Sequence, residues 1–288
     1  MSADGTSAIR SGRRIATATT KHAVLIVTSL IMIYPLLWLV SASLKSPDEI
    51  FGSPSLWPSE ISFGGFLRGW NGLSVGFGTF FINTFVIEAM SILGNLFACS
   101  LTAFAFSRLD FIGRRFWFAA MLLTMMLPYH VTLIPQYVVF LQLGWVNTIL
   151  PLVVPKFLAA DAFFIFMMVQ FFRSVPFELQ EAAMIDGCGP WRIYWSILLP
   201  LSLPVLATTA IFTFIWTWDD FLGPLVYLGD IKTYTVALGL RAFVDSRGVT
   251  DWNAVFAMST IVVIPVFIVF LLGQKFLVEG IATSGMKG

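Results

Sequence analysis

The chain has 288 residues, of which 58% are hydrophobic and 11% charged, and a formal net charge of +1. Soluble domains carry about 25% charged residues, so lipid rather than water must be the solvent for most of this surface. The near-neutral balance says nothing about nucleic acid and no basic tract suggests such a partner, so none is expected; two cysteines, Cys99 and Cys188, are too few for a disulfide framework.

In chain order, residues 1–21 are polar and rich in Ser, Thr, Ala and Arg, and read as an N-terminal tail. Apolar runs long enough to cross a bilayer follow at 22–44, 79–106, 115–137, 149–172, 201–223 and 256–278. The first run begins near Ala23, is long and lacks a small-residue cleavage site, so it reads as a span and not as a signal peptide. Pro35, Pro128, Pro135, Pro204 and Pro265 fall inside spans, where neighbouring helices satisfy freed backbone groups. The expected fold class is an all-α integral membrane protein with six transmembrane helices, the body being 22–279 and 280–288 a short C-terminal tail.

Basic residues set the expected orientation. With the N-terminus inside, the inner segments hold Arg10, Arg13, Arg14, Lys21, Arg108, Arg114, Arg115, Arg173, Arg192, Lys275 and Lys287. The outer side holds Lys45, Arg68, Lys156, Lys232, Arg241 and Arg247. Eleven against six puts both termini in the cytoplasm, with 45–78 and 224–255 as the long outer loops.

That orientation also makes 173–200 cytoplasmic. The stretch reads Glu181-Ala182-Ala183, three residues, Gly187, nine residues, Ile197, one residue, then Leu199-Pro200. Pro176 suits a first helical turn, and Glu178 and Glu181 fall near the positive end of a helix dipole, where carboxylates gain roughly 0.3–1 kcal/mol. Leu179, Ala182, Ala183 and Asp186 fall on one face, and the two alanines let another surface approach the backbone. Gly187 is a helix stop, Gly189-Pro190 enforces a bend, and an aromatic-rich helix of about 13 Å is predicted from Trp191 to Leu199 before Pro200 opens the fifth span. The expected product is an L-shaped lever joined to membrane helices.

This spacing resembles the "EAA" coupling loop of bacterial ABC importer permeases, between spans four and five. From about residue 22 onward the chain looks like the maltose-type carbohydrate permeases, and within them like the shorter subunit without a large extracellular insertion. The likeness is carried by Tyr34-Pro35-Leu36-Leu37, Ser43-Leu44-Lys45, Ile134-Pro135-Gln136-Tyr137, Leu143-Gly144-Trp145-Val146-Asn147-Thr148, Phe171-Phe172 with Pro176, Trp218-Asp219-Asp220-Phe221 and the Phe276 to Gly288 tail. Relatives commonly have Trp-Asn-Asp where this chain has Trp218-Asp219-Asp220, which adds a carboxylate at an expected pathway mouth, and Phe-Pro where it has Val175-Pro176.

The resemblance implies an importer in the bacterial inner membrane made of this permease, a sister permease, two ATP-binding cassette ATPases and an extracytoplasmic substrate-binding protein. ATP and Mg are expected on the ATPases: this chain has no Gly-x-x-x-x-Gly-Lys-Ser/Thr loop and is expected to bind no cofactor. Glu178, Glu181, Ala182, Ala183, Asp186 and Gly187 are the expected ATPase contacts, with Glu181 as polar anchor.

Polar groups in lipid are expensive and tend to face a cavity or a partner; here they are Asn83, Glu88, Asn95, Gln136, Asp161 and Gln170, with Asp219 and Asp220 at the outer end of the fifth span. Sugars bind through hydrogen-bonding groups and aromatic faces, which makes Asn83, Glu88, Gln136, Tyr137, Trp216, Trp218, Asp219 and Asp220 the substrate-pathway candidates. The bland alternative is that the carboxyls bond within the bundle and the aromatics are interfacial. Without strong cationic anchors the expected cargo is a neutral sugar, glycoside or polyol; an anionic sugar derivative such as a glycerol phosphate or sulfonated sugar is the alternative. An ATPase-independent secondary transporter would leave 181–200 unexplained, and an enzyme would need a clustered nucleophile, base or metal set that two lone histidines and two separated cysteines do not supply.

Overall fold

Four long apolar spans and two bent helix pairs run between two ends of the molecule. The computed structural model describes residues 4–245 and 250–285. α1 (Asp4–Leu44) is followed by two short loop helices, α2 (Pro47–Gly52) and α3 (Gly64–Asn71). Then come α4 (Phe77–Arg108), α5 (Arg114–Thr124), α6 (Tyr129–Gln142), α7 (Leu150–Phe157) and α8 (Ala162–Ser174). The arm is α9 (Glu178–Ile185) and α10 (Pro190–Leu201); α11 (Leu203–Trp218), α12 (Leu222–Tyr227), α13 (Val236–Asp245) and α14 (Trp252–Gly285) complete the chain. Among the described residues the structure is helical with no strand, as the long apolar runs predict.

The six expected spans are all found, but three are not straight. The third breaks between α5 and α6 at 101°. Pro128 has no N–H and disfavours helical backbone at Leu127, and the last turn of α5 tightens so that Met125, Met126 and Leu127 donate three residues back. Pro135, by contrast, sits inside α6 without ending it. The fourth span is interrupted at 158–161, where Ala159 takes φ 55°. The fifth was expected at 201–223; its helix is Leu203–Trp218, bent 76° from α10. Pro204 stands in its first turn, and Asp219 and Asp220 lie beyond its last. Residues 4–21, expected as a tail, carry helical backbone continuous with α1. Lys287 and Arg247 of the charge count lie outside the described residues, as does the tail beyond 285.

α4 organises the bundle. At 32 residues it is about 48 Å long, which exceeds the roughly 30 Å hydrocarbon core. One end of its buried face packs with α8 and α10 around Cys99, Phe104, Phe164, Met168, Phe172 and Tyr194. The other packs with α11, α13 and α14 around Phe77, Phe80, Trp218, Val236 and Met258. α1 touches the bundle mainly along α14, where Trp38 meets Phe256 edge-on at 5.2 Å, and leaves Leu25, Ile31 and Met32 uncovered.

Hydroxyls inside these helices are mostly satisfied by their own backbone. Thr84, Thr208, Thr209 and Thr260 each donate to the carbonyl four residues earlier at 2.8–3.0 Å, and Ser100 donates to Leu96. Asn95 is different: its amide donates across to Thr213 of α11 at 3.0 Å.

Opposite the arm, a polar staple joins three segments. Lys45 is 1% exposed, and its ammonium donates to the Ser53 and Ser55 carbonyls. Asn253 donates to Lys45 O at 2.7 Å and accepts from Arg68, which also pairs with Asp251 at 2.7 Å. Burial raises the Asp251 carboxyl, but the Arg68 guanidinium and the Ala254 and Asn253 N–H groups outweigh it and hold it below the usual carboxylate range.

Candidate functional site

The arm is built from short-range rules. α9 begins at Glu178, two residues after Pro176, with Phe177 O taking the first backbone bonds and Glu178 and Glu181 in the first turn. It ends in a complete Schellman closure: Cys188 N donates to Ala183 O at 2.9 Å and Gly187 N to Met184 O at 3.0 Å, with Gly187 at φ 80°. Gly189-Pro190 then starts α10, which widens into a π turn over Tyr194–Leu198 before the bend into α11. Nothing in the local residue pattern signals that π turn.

Of the six expected contact residues, Glu178, Glu181, Ala182, Asp186 and Gly187 are exposed, together with Ile185 at 86%. Ala183 is 7% exposed, so its small side chain serves this chain's own packing and not the open face. α9 is thus a mixed acidic and apolar helix, uncovered on one side and tied at both ends to membrane helices.

A polar cluster lies inside the bundle. Lys156 of α7 pairs with Asp161 at 2.9 Å across the 158–161 break. Its charge also acts on Glu88 of α4 and on Asp220. Glu88 is 2% exposed and neither carboxyl oxygen has a hydrogen-bond partner. A cavity of about 70 Å³, which Glu88 does not line, is bounded by Thr84, Lys156, Trp216, Thr217, Asp220 and Thr235 among others; Thr235 Oγ1 is buried without a partner. In the sequence Lys156 counts only as an outer positive charge; its five-residue spacing from Asp161 across Ala159-Ala160 is the signal of the pair.

The other pathway candidates separate. Trp216 is half exposed and stacks on Phe164 at 5.1 Å, at the cavity rim. Asp219 is exposed beyond α11, and Asp220 Oδ1 accepts from Gly223 N at 3.0 Å. Tyr137 stacks on Tyr227 at 6.4 Å, and Gln136 Oε1 lies 3.5 Å from the Tyr227 hydroxyl. Trp218, by contrast, is 3% exposed among Phe81, Phe85 and Phe214 and donates to Val262 O at 3.2 Å. Asn83 donates to Lys232 O and Tyr234 O at 2.8 and 3.0 Å. Trp218 and Asn83 are bound into the scaffold. Asn147, at φ 66°, does similar work at the loop end by accepting from Gly229 N and Asp230 N.

Six apolar crossings, an exposed arm between the fourth and fifth, and a polar cluster within the bundle define a membrane transport subunit. The chain belongs to the binding-protein-dependent transport system inner membrane component family, whose pattern matches residues 92–283. It is 35% identical to the Probable ABC transporter permease protein YurM of Bacillus subtilis, over 88% of this chain and 84% of that one. It is 31% identical to the Diacetylchitobiose uptake system permease protein NgcG of Streptomyces coelicolor, over 93% and 88%. With the sn-glycerol-3-phosphate transport system permease protein UgpE of Brucella abortus it shares 34%, over 91% and 95%. In fold it resembles a chain of a bacterial ABC transporter involved in the import of the acidic polysaccharide alginate, with TM-score 0.80, 24% identity, and 92% and 97% of the two chains covered. The protein is an ABC transporter permease, and membership of this family brings ATPase and substrate-binding-protein partners.

Proposed function

We propose that this chain is one of two sister permeases in an ATP-driven importer of a neutral sugar, glycoside or polyol, with both termini in the cytoplasm. The observation that carries the reading is α9, an exposed helix closed at Gly187 and continuous through short turns with α8 and α10. The basic bias of the same end favours a cytoplasmic placement. ATP-driven closure of two partner ATPases pushes α9, with Glu181 as polar anchor and Ala182 and Gly187 giving close approach. The spans then turn the pathway outward to receive cargo from the binding protein.

Relatives named for diacetylchitobiose uptake support a sugar cargo. Others named for glycerol 3-phosphate raise an anionic cargo as the alternative. The cluster argues for the neutral one: Lys156 is already paired with Asp161, and Glu88 and Asp220 stand near it, so little positive field is left for an anion. The Trp216 face and the Thr217 and Thr235 hydroxyls suit a hydroxylated ligand.

The test is Glu181→Lys in the assembled transporter. The variant is expected in the membrane at normal abundance with uptake of a radiolabelled sugar panel lost. Normal uptake refutes the role of the arm, and uptake by vesicles carrying this chain without ATPases refutes the importer reading.

A further inference from the structure

We infer that Arg108 is a positioning residue that clamps the arm to α4, and that α4 carries arm movement to the opposite, loop end of the molecule. The inference rests on the reading of α9 as the ATPase contact.

Arg108 is the last residue of α4 and is 9% exposed. Its Nη2 donates to Val175 O at 2.7 Å and to Phe172 O, and its guanidinium lies 5.6 Å from the Phe177 ring centroid. These three partners are the end of α8, the linker, and the residue that opens α9. One side chain therefore grips the hinge between the fourth span and the arm from three directions. A planar guanidinium can bond two carbonyls and lie over a ring at once; an ammonium is a point donor without that plane. The Nε–H is left buried without a partner, so the side chain is not placed for its own best hydrogen bonding.

The other limb of the arm is tied to the same helix. Ser100 and the Tyr194 hydroxyl are 2.7 Å apart, and Phe104 packs on the Tyr194 ring at 5.3 Å. The entry to the arm and its exit through α10 are thus both fastened to α4, and the arm cannot swing without loading it. At its far end α4 holds the loop that leads into α13. Thr84 Oγ1 accepts from Val236 N at 2.9 Å, and Asn83 bonds the Lys232 and Tyr234 carbonyls. From Thr84 to Arg108 is about 36 Å of unbroken helix at 1.5 Å per residue. A rigid rod fastened at both ends is a contiguous path between the two faces of the membrane.

The experiment uses the complete transporter in nanodiscs with Cys99 and Cys188 replaced by serine. Spin-label pairs at Ile112 and Ile185 report the arm end, and pairs at Ser74 and Leu143 the loop end. Distances are measured with and without ATP, Mg and vanadate. In the parent protein both pairs are expected to shift. In Arg108→Ala the arm-end shift persists, basal ATP hydrolysis persists, and the nucleotide-driven population change at the loop end falls about tenfold. Arg108→Lys recovers part of it. Tyr194→Phe, which keeps the ring and its packing, weakens the loop-end response through the second tie and serves should Arg108→Ala fail to assemble. An unchanged loop-end response in Arg108→Ala, or in Tyr194→Phe where only that variant assembles, overturns the clamp. No nucleotide-driven shift at the arm end of the parent overturns the arm reading itself, and the clamp with it.

Discussion

Gly187 closes α9 at φ 80°, and a Cβ built there meets no atom within 4 Å. Replacing it with alanine therefore adds no clash within this chain, and the whole cost comes from holding an L-residue in left-handed backbone, about 1–2 kcal/mol. That energy is charged against two bonds, Cys188 N to Ala183 O and Gly187 N to Met184 O. Local opening of the closure should then rise about 5- to 30-fold. Amide exchange followed by mass spectrometry over 183–190 reads this directly. Gly187→Asn, whose side chain tolerates the same backbone, should stay within a few-fold of the parent. Alanine exchanging at the parental rate, or asparagine exchanging as fast as alanine, would refute the backbone argument. Uptake adds a second axis: if an ATPase packs on this corner, both variants lose transport even though only alanine loosens the turn.

Trp218→Ala should lower the melting temperature of the detergent-solubilised complex, because removing a buried tryptophan costs about 3–5 kcal/mol. A variant that melts normally but loses uptake would instead return Trp218 to the pathway. Asp251→Asn should remove a stabilising contribution that depends on pH. The folded pKa of Asp251 lies below its unfolded value, so the contribution is complete above the ordinary carboxylate range and is lost as pH falls through the depressed folded value. The pair is substantially exposed, which limits the effect to about 0.2–1 kcal/mol. Melting curves of parent and variant should differ at neutral pH and converge in acid; a constant offset across that range would count against it.

The spans and the arm were legible because both are local signals: apolar length fixes a crossing, and Gly187 and Gly189-Pro190 fix where a helix stops. The break at Pro128 was not legible. Pro135 and Pro265 sit within helices that continue past them, so proline alone does not mark a break. What separates Pro128 is that the preceding turn had already tightened to three-residue bonding. The pathway candidates separate in placement for a related reason. Polarity within a span says that a group needs a partner but not whether that partner is cargo. Asn83 found loop carbonyls 149 and 151 residues away, and Trp218 found Val262 O. Arg108 counted in the sequence as one inner positive charge, since nothing local reveals that its partners lie 64 and 67 residues further on.

The back-bonded hydroxyls bear on biogenesis. A threonine whose proton already rests on its own helix's carbonyl makes no demand on a neighbour, so a segment rich in such residues can leave the insertion machinery for lipid as soon as it is made. Asn95 breaks that independence: its acceptor, Thr213, is synthesised 118 residues later. Until α11 emerges, α4 carries an amide with no permanent home, and the two must meet before the subunit is complete.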